Sequence, residues 1–297
     1  MMETELSTSL GVERKPAEEQ VMRDFTARPE HGVVWISGAS SGIGRALALK
    51  LVEEGYKVAV TARNHEKLVD LQAEAHGLAG TIIVLDGDVT NAEDMEHTVA
   101  AIEYQHGTLA MAILNAGIYV PVDGAHLLRE DFEKTFAVNL SGVVNCLVPA
   151  VRHMRMKGQG QIAIVSSATG FGGLPTSAAY GASKAALINM AESLKFDLDK
   201  IGIRIQLVTP GFVDTPATRT NRFPMPDLIS AQTAAEEISL GLKSQAFEIS
   251  FPKSFIFKLK LLRFLPYGLY FRIVGRFTGW GGKTVKTPPH TAAHPAE

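Results

Sequence analysis

The sequence predicts an α/β protein built on one doubly wound parallel sheet, and three observations carry that expectation. Between Gly32 and Thr209, short β-branched apolar runs alternate with longer amphipathic stretches, the pattern of repeated βαβ units. Several of the runs are apolar at nearly every position, as strands covered by helices on both faces must be. A glycine-rich turn directly follows the first run and opens a helical stretch.

Six runs read as strands: 33–37, 57–61, 81–86, 110–115, 161–166 and 203–209. The helices between them have legible ends, with Gly55 after 47–54, Asn91 able to cap 92–104, and Gly202 after 178–200. The stretch 129–157 also reads as helical but contains Pro149, which lacks an amide donor, so a kink there or a shorter helix is expected. Beyond Pro210 the regularity fails. Residues 215–230 hold Pro216, Pro224 and Pro226 and read as a surface loop or lid.

A chain of 297 residues, 46% hydrophobic and 20% charged, can bury the core of one large domain or of two smaller ones. The single cysteine, Cys146, excludes an intrachain disulfide, and no Cys/His cluster stands at zinc-ligand spacing; no metal is expected, and a reducing cytoplasm fits. The net charge of −2 hides an asymmetry. Eight of the 29 bases fall in 251–286, which holds no acid, leaving 21 bases against 31 acids elsewhere. That balance excludes a generally basic nucleic-acid binder.

The turn after the first strand reads Ser37-Gly38-Ala39-Ser40-Ser41-Gly42-Ile43-Gly44, a G-x-x-x-G-x-G spacing. Glycines let a backbone turn sharply and approach a pyrophosphate, while the free N–H groups and dipole of the following helix favour its charge. Gly38, Ser40, Ser41, Gly42, Ile43 and Gly44 are therefore candidate cofactor-binding residues. An acid at the end of the second strand would bond the ribose of NAD and repel a 2′-phosphate; this chain instead has Ala62-Arg63. The Arg63 guanidinium suits a phosphate, which favours NADP(H).

Tyr180 and Lys184 stand four residues apart in a predicted helix, hence on one face. A phenol with a pKa of about 10 is a poor base at neutral pH, and a neighbouring cation lowers that value. Ser167 ends the fifth strand 13 residues before Tyr180, at the sheet edge where ligands of open α/β folds bind. Asn139 lies inside a helical stretch that disfavours asparagine.

Taken in order from about Val33 to Thr215, these motifs resemble the short-chain dehydrogenase/reductase family in its classical form, with Ser37 where threonine is usual. The resemblance implies a Rossmann-type doubly wound parallel sheet. It implies that Asp88 and Val89 contact adenine and that Asn115, Ala116 and Gly117 steady the sheet beside the cofactor. In Pro210-Gly211-Phe212-Val213-Asp214-Thr215, the residues after the Pro-Gly pair, Val213 and Thr215 among them, would contact the nicotinamide amide. The implied catalytic centre is Asn139, Ser167, Tyr180 and Lys184, with Tyr180 and Lys184 also touching the cofactor. Ser167 would bond the substrate carbonyl and Tyr180 transfer the proton. Lys184 would orient the ribose and tune Tyr180, and Asn139 would distort its helix and hold a water leading to Lys184. Ser166 is expected to be structural.

The function so implied is an NADP(H)-dependent oxidoreductase passing a hydride between nicotinamide and a carbonyl or secondary alcohol. A non-catalytic cofactor-sensing or scaffold protein of the same fold is the alternative. Phe171, Leu174, Pro175, Phe212 and a lid around 223–228 suggest a hydrophobic or lipid-like substrate. The expected organisation is a disordered leader at 1–31, a single dinucleotide-binding catalytic domain at 32–250, a basic apolar helical extension at 251–282 and a flexible tail at 283–297. Pro266 and Gly268 divide the extension into two amphipathic pieces, too short to span a membrane. They suit the anionic inner face of a membrane through 251–280 or a partner groove, or else a pair packed across the substrate mouth or a dimer interface. A homo-oligomer is expected.

Overall fold

The computed structural model describes residues 25–220 and 224–281. Seven parallel strands form one sheet: β1 (Val33–Ser37), β2 (Lys57–Thr61), β3 (Thr81–Val84), β4 (Leu109–Leu114), β5 (Gly160–Val165), β6 (Ile203–Pro210) and β7 (Glu248–Phe251). Their order is β3-β2-β1-β4-β5-β6-β7, with every neighbouring pair parallel. From β1 the chain winds outward to β3 and then returns to β4 on the other side. This reversal opens a crevice at the carboxyl ends of β1 and β4. The fold is therefore Rossmann-like and doubly wound.

Helices cover both faces, and the strand pattern shows why. Alternate β1 side chains point to opposite sides, Val34 and Ile36 into one core, Val33 and Trp35 into the other. The first core is closed by α1 (Gly42–Glu53), α2 (His65–Glu74) and α7 (Ala231–Lys243), through residues such as Leu47, Leu68 and Ile238. The second is closed by α3 (Ala92–Ala101), α5 (Gly142–Lys157) and α6 (Ala178–Leu198), through Met95, Leu147 and Leu187. Asn64, Asn91 and Ser230 cap α2, α3 and α7 with side-chain oxygens, satisfying first-turn amides.

Within 129–157 the irregularity falls at Asn139 rather than at Pro149. The short α4 (Arg129–Phe136) passes into a π-helical turn, Ala137–Ser141, before α5, which continues through a buried Pro149. Asn139 is fully buried, and its amide bonds both backbone groups of Ile118, accepting from N at 2.8 Å and donating to O at 2.9 Å. Those external bonds tie the turn to the chain beyond β4. The stretch 129–157 is apolar and long enough to cross a membrane, but Val143, Cys146, Ala150 and Met154 bury one side of it in the protein core.

Two boundaries differ from the sequence expectation. The leader expected to reach residue 31 is packed from Phe25 onward. Ala27 is buried and donates its N–H to Gln161 Oε1 at 2.8 Å, and Arg204 donates to Thr26 Oγ1 at 2.8 Å. Buried polar groups on β5 and β6 need partners, and this segment supplies them. The seventh strand, β7, was not expected. Residues 1–24 of the leader, the tail at 283–297 and Phe223 of the lid lie outside the described residues.

The C-terminal extension forms two helices, α8 (Lys253–Leu262) and α9 (Tyr267–Thr278), separated at Pro266. Ile256 of α8 and Tyr270 and Val274 of α9 are buried. The Tyr270 hydroxyl donates to Gly173 O at 2.7 Å, and burial raises its pKa. Glu248 on β7 accepts a hydrogen bond from Thr209 and pairs with Lys260, whose ammonium lies 4.9 Å from the Phe171 ring centroid. The extension is thus clamped over the loop that follows β5.

Candidate active site

A cleft of about 940 Å³ lies at the carboxyl ends of the central strands. Gly38, Ser40, Ser41, Gly42 and Ile43 line it from the β1–α1 turn, Arg63 from the end of β2, and Asp88 and Val89 from beyond β3. Asn115, Ala116 and Gly117 enter after β4, Ser167, Tyr180 and Lys184 after β5 and on α6, and Pro210, Gly211, Val213 and Thr215 at the end of β6. Two expected site residues do not line it. Asn139 is buried behind the wall, and Gly44 packs under the turn, where a Cβ would stand 2.4 Å from Gly38 O.

The turn is built for close approach. Gly38 has φ +71° and Gly42 φ +56°, and a Cβ on Gly38 would lie 2.6 Å from Ala116 Cα. Asn115 holds the turn by donating to Ser37 O at 3.1 Å and Gly38 O at 3.0 Å. The Ser37 hydroxyl in turn accepts from the N–H groups of Asn115 and Ala116. Ser37 therefore ties β1 to β4. Ser41, the N-cap of α1, makes no side-chain capping bond, which leaves first-turn N–H groups beside the cleft for an anion. A dinucleotide fits this cradle.

Tyr180 and Lys184 share the cleft face of α6. The Lys184 ammonium is 5.6 Å from the Tyr180 ring centroid and donates to Val165 O at 2.9 Å. Ser166 is bonded through its hydroxyl to Lys184 O at 2.8 Å, which pins α6 to β5. Ser167 caps a 3₁₀ turn and hydrogen-bonds Tyr180. Around Gly117, a Cβ would stand 3.4 Å from both Asn139 Oδ1 and Lys184 Nζ. Asn139 thus borders Lys184 across a glycine, and it also donates to Ser183 Oγ at 3.2 Å.

Sequence spacing places a cation beside Tyr180, and the structure adds the effect of burial. Burial raises Tyr180, the Ser167 hydrogen bond pulls it down, and the neighbouring Tyr119 raises it further. Burial also pushes Lys184 down to about 8. Desolvation outweighs a cation that is itself desolvated and turned toward Val165 O.

Sequence reasoning missed several cleft residues. Tyr119 meets the Tyr180 ring edge-on at 5.3 Å, and its hydroxyl bonds Thr176 Oγ1 at 2.7 Å. Thr176 has φ +60°, an uncommon conformation for a β-branched residue. The signal for Tyr119 was its position just past Asn115-Ala116-Gly117 at the ligand edge of the sheet. Asn64 and Lys67 flank Arg63 in the cleft wall, and Arg63 lies 4.0 Å from Asp88. Of the expected substrate-pocket residues, Leu174 and Phe212 line the cleft, as do Phe255 and Leu259 from α8. Phe171 and Pro175 do not line it, and Phe171 is turned to Lys260. The lid contributes Pro216, Ala217 and Thr218 rather than 224–228, and Val213 pairs with Ile229 at its base.

Fold and cleft together define a dinucleotide-binding α/β scaffold carrying a serine, a tyrosine and a lysine at its ligand edge. Residues 32–224 match the family model for short chain dehydrogenases. The chain is 34% identical over 235 residues to an uncharacterized oxidoreductase of Myxococcus xanthus, covering 79% of this chain and 93% of that protein. It is 33% identical over 223 residues to the 3-oxoacyl-[acyl-carrier-protein] reductase FabG of Thermotoga maritima, covering 75% and 89%. A 3-ketoacyl-ACP reductase structure from Sinorhizobium meliloti superposes with a TM-score of 0.64 at 29% identity, over 73% of this chain and 95% of that one. The chain belongs to the short-chain dehydrogenase/reductase family of oxidoreductases.

Proposed function

We propose that the protein is an NADP(H)-dependent oxidoreductase that interconverts a ketone and a secondary alcohol on an apolar, acyl-like substrate. The observation that carries the reading is the convergence of Ser167, Tyr180 and Lys184 with the glycine turn and Arg63 on one cleft. Arg63 and Lys67 offer two cations where a carboxylate would select against a 2′-phosphate, which favours NADP(H). Leu174, Phe212, Phe255 and Leu259 give the other end of the cleft an apolar wall. Two of the relatives act on 3-oxoacyl chains by name, which agrees with that wall.

The nicotinamide nucleotide supplies or accepts the hydride. Ser167 donates a hydrogen bond to the carbonyl oxygen, and Tyr180 delivers a proton to the same oxygen as it gains charge. The raised pKa of Tyr180 keeps its proton in place at neutral pH, which suits reduction. Lys184, held by Val165 O beside the Tyr180 ring, carries the charge that compensates tyrosinate when the proton leaves. Asn139 fixes the chain at Ile118 and borders Lys184 across Gly117, the route by which a water would return the proton.

The test is Tyr180→Phe, assayed with NADPH and a panel of 3-oxoacyl thioesters and simpler ketones. Turnover should fall roughly 10²–10⁴-fold, the range for loss of a positioned acid. NADPH affinity should change little, because only one hydroxyl is removed. Wild-type-like turnover in the variant would refute the assignment.

A further inference from the structure

The outer surface of the C-terminal helix pair has no counterpart elsewhere on the described molecule. Of the eight large aromatic side chains exposed among the described residues, six lie here: Phe257, Phe264, Tyr267, Phe271, Phe277 and Trp280. Phe264 and Phe277 are 84% and 79% exposed, values that mark them as belonging to no core. Phe257 and Leu261 stand four residues apart on the outer side of α8, Phe264 follows in the turn after it, and Tyr267 stacks on Phe271 at the start of α9. A concentration of exposed large apolar side chains of this kind marks an interaction site.

Charge identifies the occupant. Lys253, Lys258, Arg263, Arg272 and Arg276 are all exposed, and none has an ion-pair partner among the described residues; Lys260 alone is matched, by Glu248. No acid occurs in 251–281. A symmetric contact with a second copy would set these cations against one another with no carboxylate to offset them. An anionic lipid surface offers the complementary charge and an apolar layer for the aromatic rings at once. The helices are too short to cross a bilayer, at 10 and 12 residues. Their inner side is already committed, with Ile256, Tyr270 and Val274 buried and Phe255 and Leu259 lining the cleft.

We propose that the outer face of α8 and α9 docks the protein on an anionic bilayer, so that the helix forming one wall of the cleft is also the membrane contact. Resting on the proposed reduction of an apolar ketone, this makes lipid-borne acyl ketones the substrate class. Docking itself requires no turnover.

Full-length protein should float with phosphatidylcholine vesicles containing phosphatidylglycerol at low salt, and high salt should weaken that binding at least tenfold, since charges near a surface act within a Debye length of about 10 Å at 0.1 M salt. Replacing both Arg272 and Arg276 by Gln should weaken it by roughly thirtyfold, from about a fivefold loss per base. A Phe257→Ser/Phe264→Ser pair should abolish flotation. Both pairs should keep the wild-type melting midpoint and turnover of a water-soluble ketone, while losing turnover of a long-chain ketone carried in anionic vesicles. Failure of the wild-type protein to float at low salt would overturn the proposal, as would equal binding to vesicles of phosphatidylcholine alone. So would a wild-type dimer, seen by light scattering, that the Phe257→Ser/Phe264→Ser pair converts to a monomer. Flotation judges docking even if no ketone is turned over, which keeps its failure distinct from failure of the functional reading.

Discussion

Lys184 is an ammonium 3% exposed to solvent, donating to Val165 O, and burial drives its pKa from an ordinary 10.5 to about 8. That difference amounts to roughly 3 kcal/mol against the charged form. The sign of its effect on stability follows from proton counts. Between pH 8 and 10.5 the unfolded chain keeps a proton on this lysine that the native protein has lost, so Lys184 makes stability rise with pH across that window. Below pH 8 the whole cost is present. Lys184→Met keeps the aliphatic stem, removes the charge and forfeits the bond to Val165 O, a loss of roughly 1 kcal/mol. At pH 7 the variant should be more stable than wild type by roughly 2 kcal/mol, or about 6 °C in melting midpoint. By pH 10.5 the ordering should reverse, because only the lost hydrogen bond remains. Urea unfolding followed by circular dichroism, at pH steps from 7 to 10.5, measures both curves. A variant less stable at pH 7 by an amount that does not change with pH would refute the reasoning and mean that Lys184 is fully compensated in the folded protein. The variant should be inactive throughout, a cost in function set against the gain in stability.

Arg63→Ala should raise the KM for NADPH roughly tenfold, the scale of one lost charge-assisted contact, and leave that for NADH within about twofold. Equal effects on both cofactors would remove Arg63 from phosphate recognition. Tyr270→Phe breaks the bond from α9 to Gly173 O, which should destabilise the protein by about 1 kcal/mol and raise the KM for apolar ketones more than it lowers kcat. An unchanged KM in steady-state kinetics would show that the loop after β5 holds its shape without α9.

The parts of this molecule legible in the sequence are those where one residue type answers one physical need. β1 and β4, at the centre of the sheet, are buried on both faces and therefore read as nearly unbroken apolar runs. Gly38 and Gly42 sit at positive φ beside close neighbours, and the turn between β1 and α1 could be read from them. β7 escaped notice because it is a four-residue edge strand, too short for its alternation to stand out in the sequence. Tyr119 escaped because its position just past Asn115-Ala116-Gly117 hints at the cleft edge but not at its contact with Tyr180, 61 positions further on. The burial of Tyr180 was illegible for a related reason: sequence spacing puts a cation nearby but is silent on how dry the site is.

The C-terminal pair marks where sequence reading stops and geometry is needed. Phe255, Ile256, Phe257, Leu259, Leu261 and Leu262 place apolar groups around most of α8, so periodicity alone cannot say which side the protein covers. A segment spread over a membrane and a segment folded over a substrate mouth produce the same composition. In the structure the two demands fall on different sides of one helix: Ile256 anchors it, Phe255 and Leu259 turn to the cleft, and Phe257 and Leu261 turn to solvent. A helix that only capped the cleft would need no second apolar row, and a helix that only bound lipid would need no residue in the cleft. Both rows are present: the same ten residues carry one apolar row toward the cleft and another toward solvent, the row that the proposed bilayer contact would use.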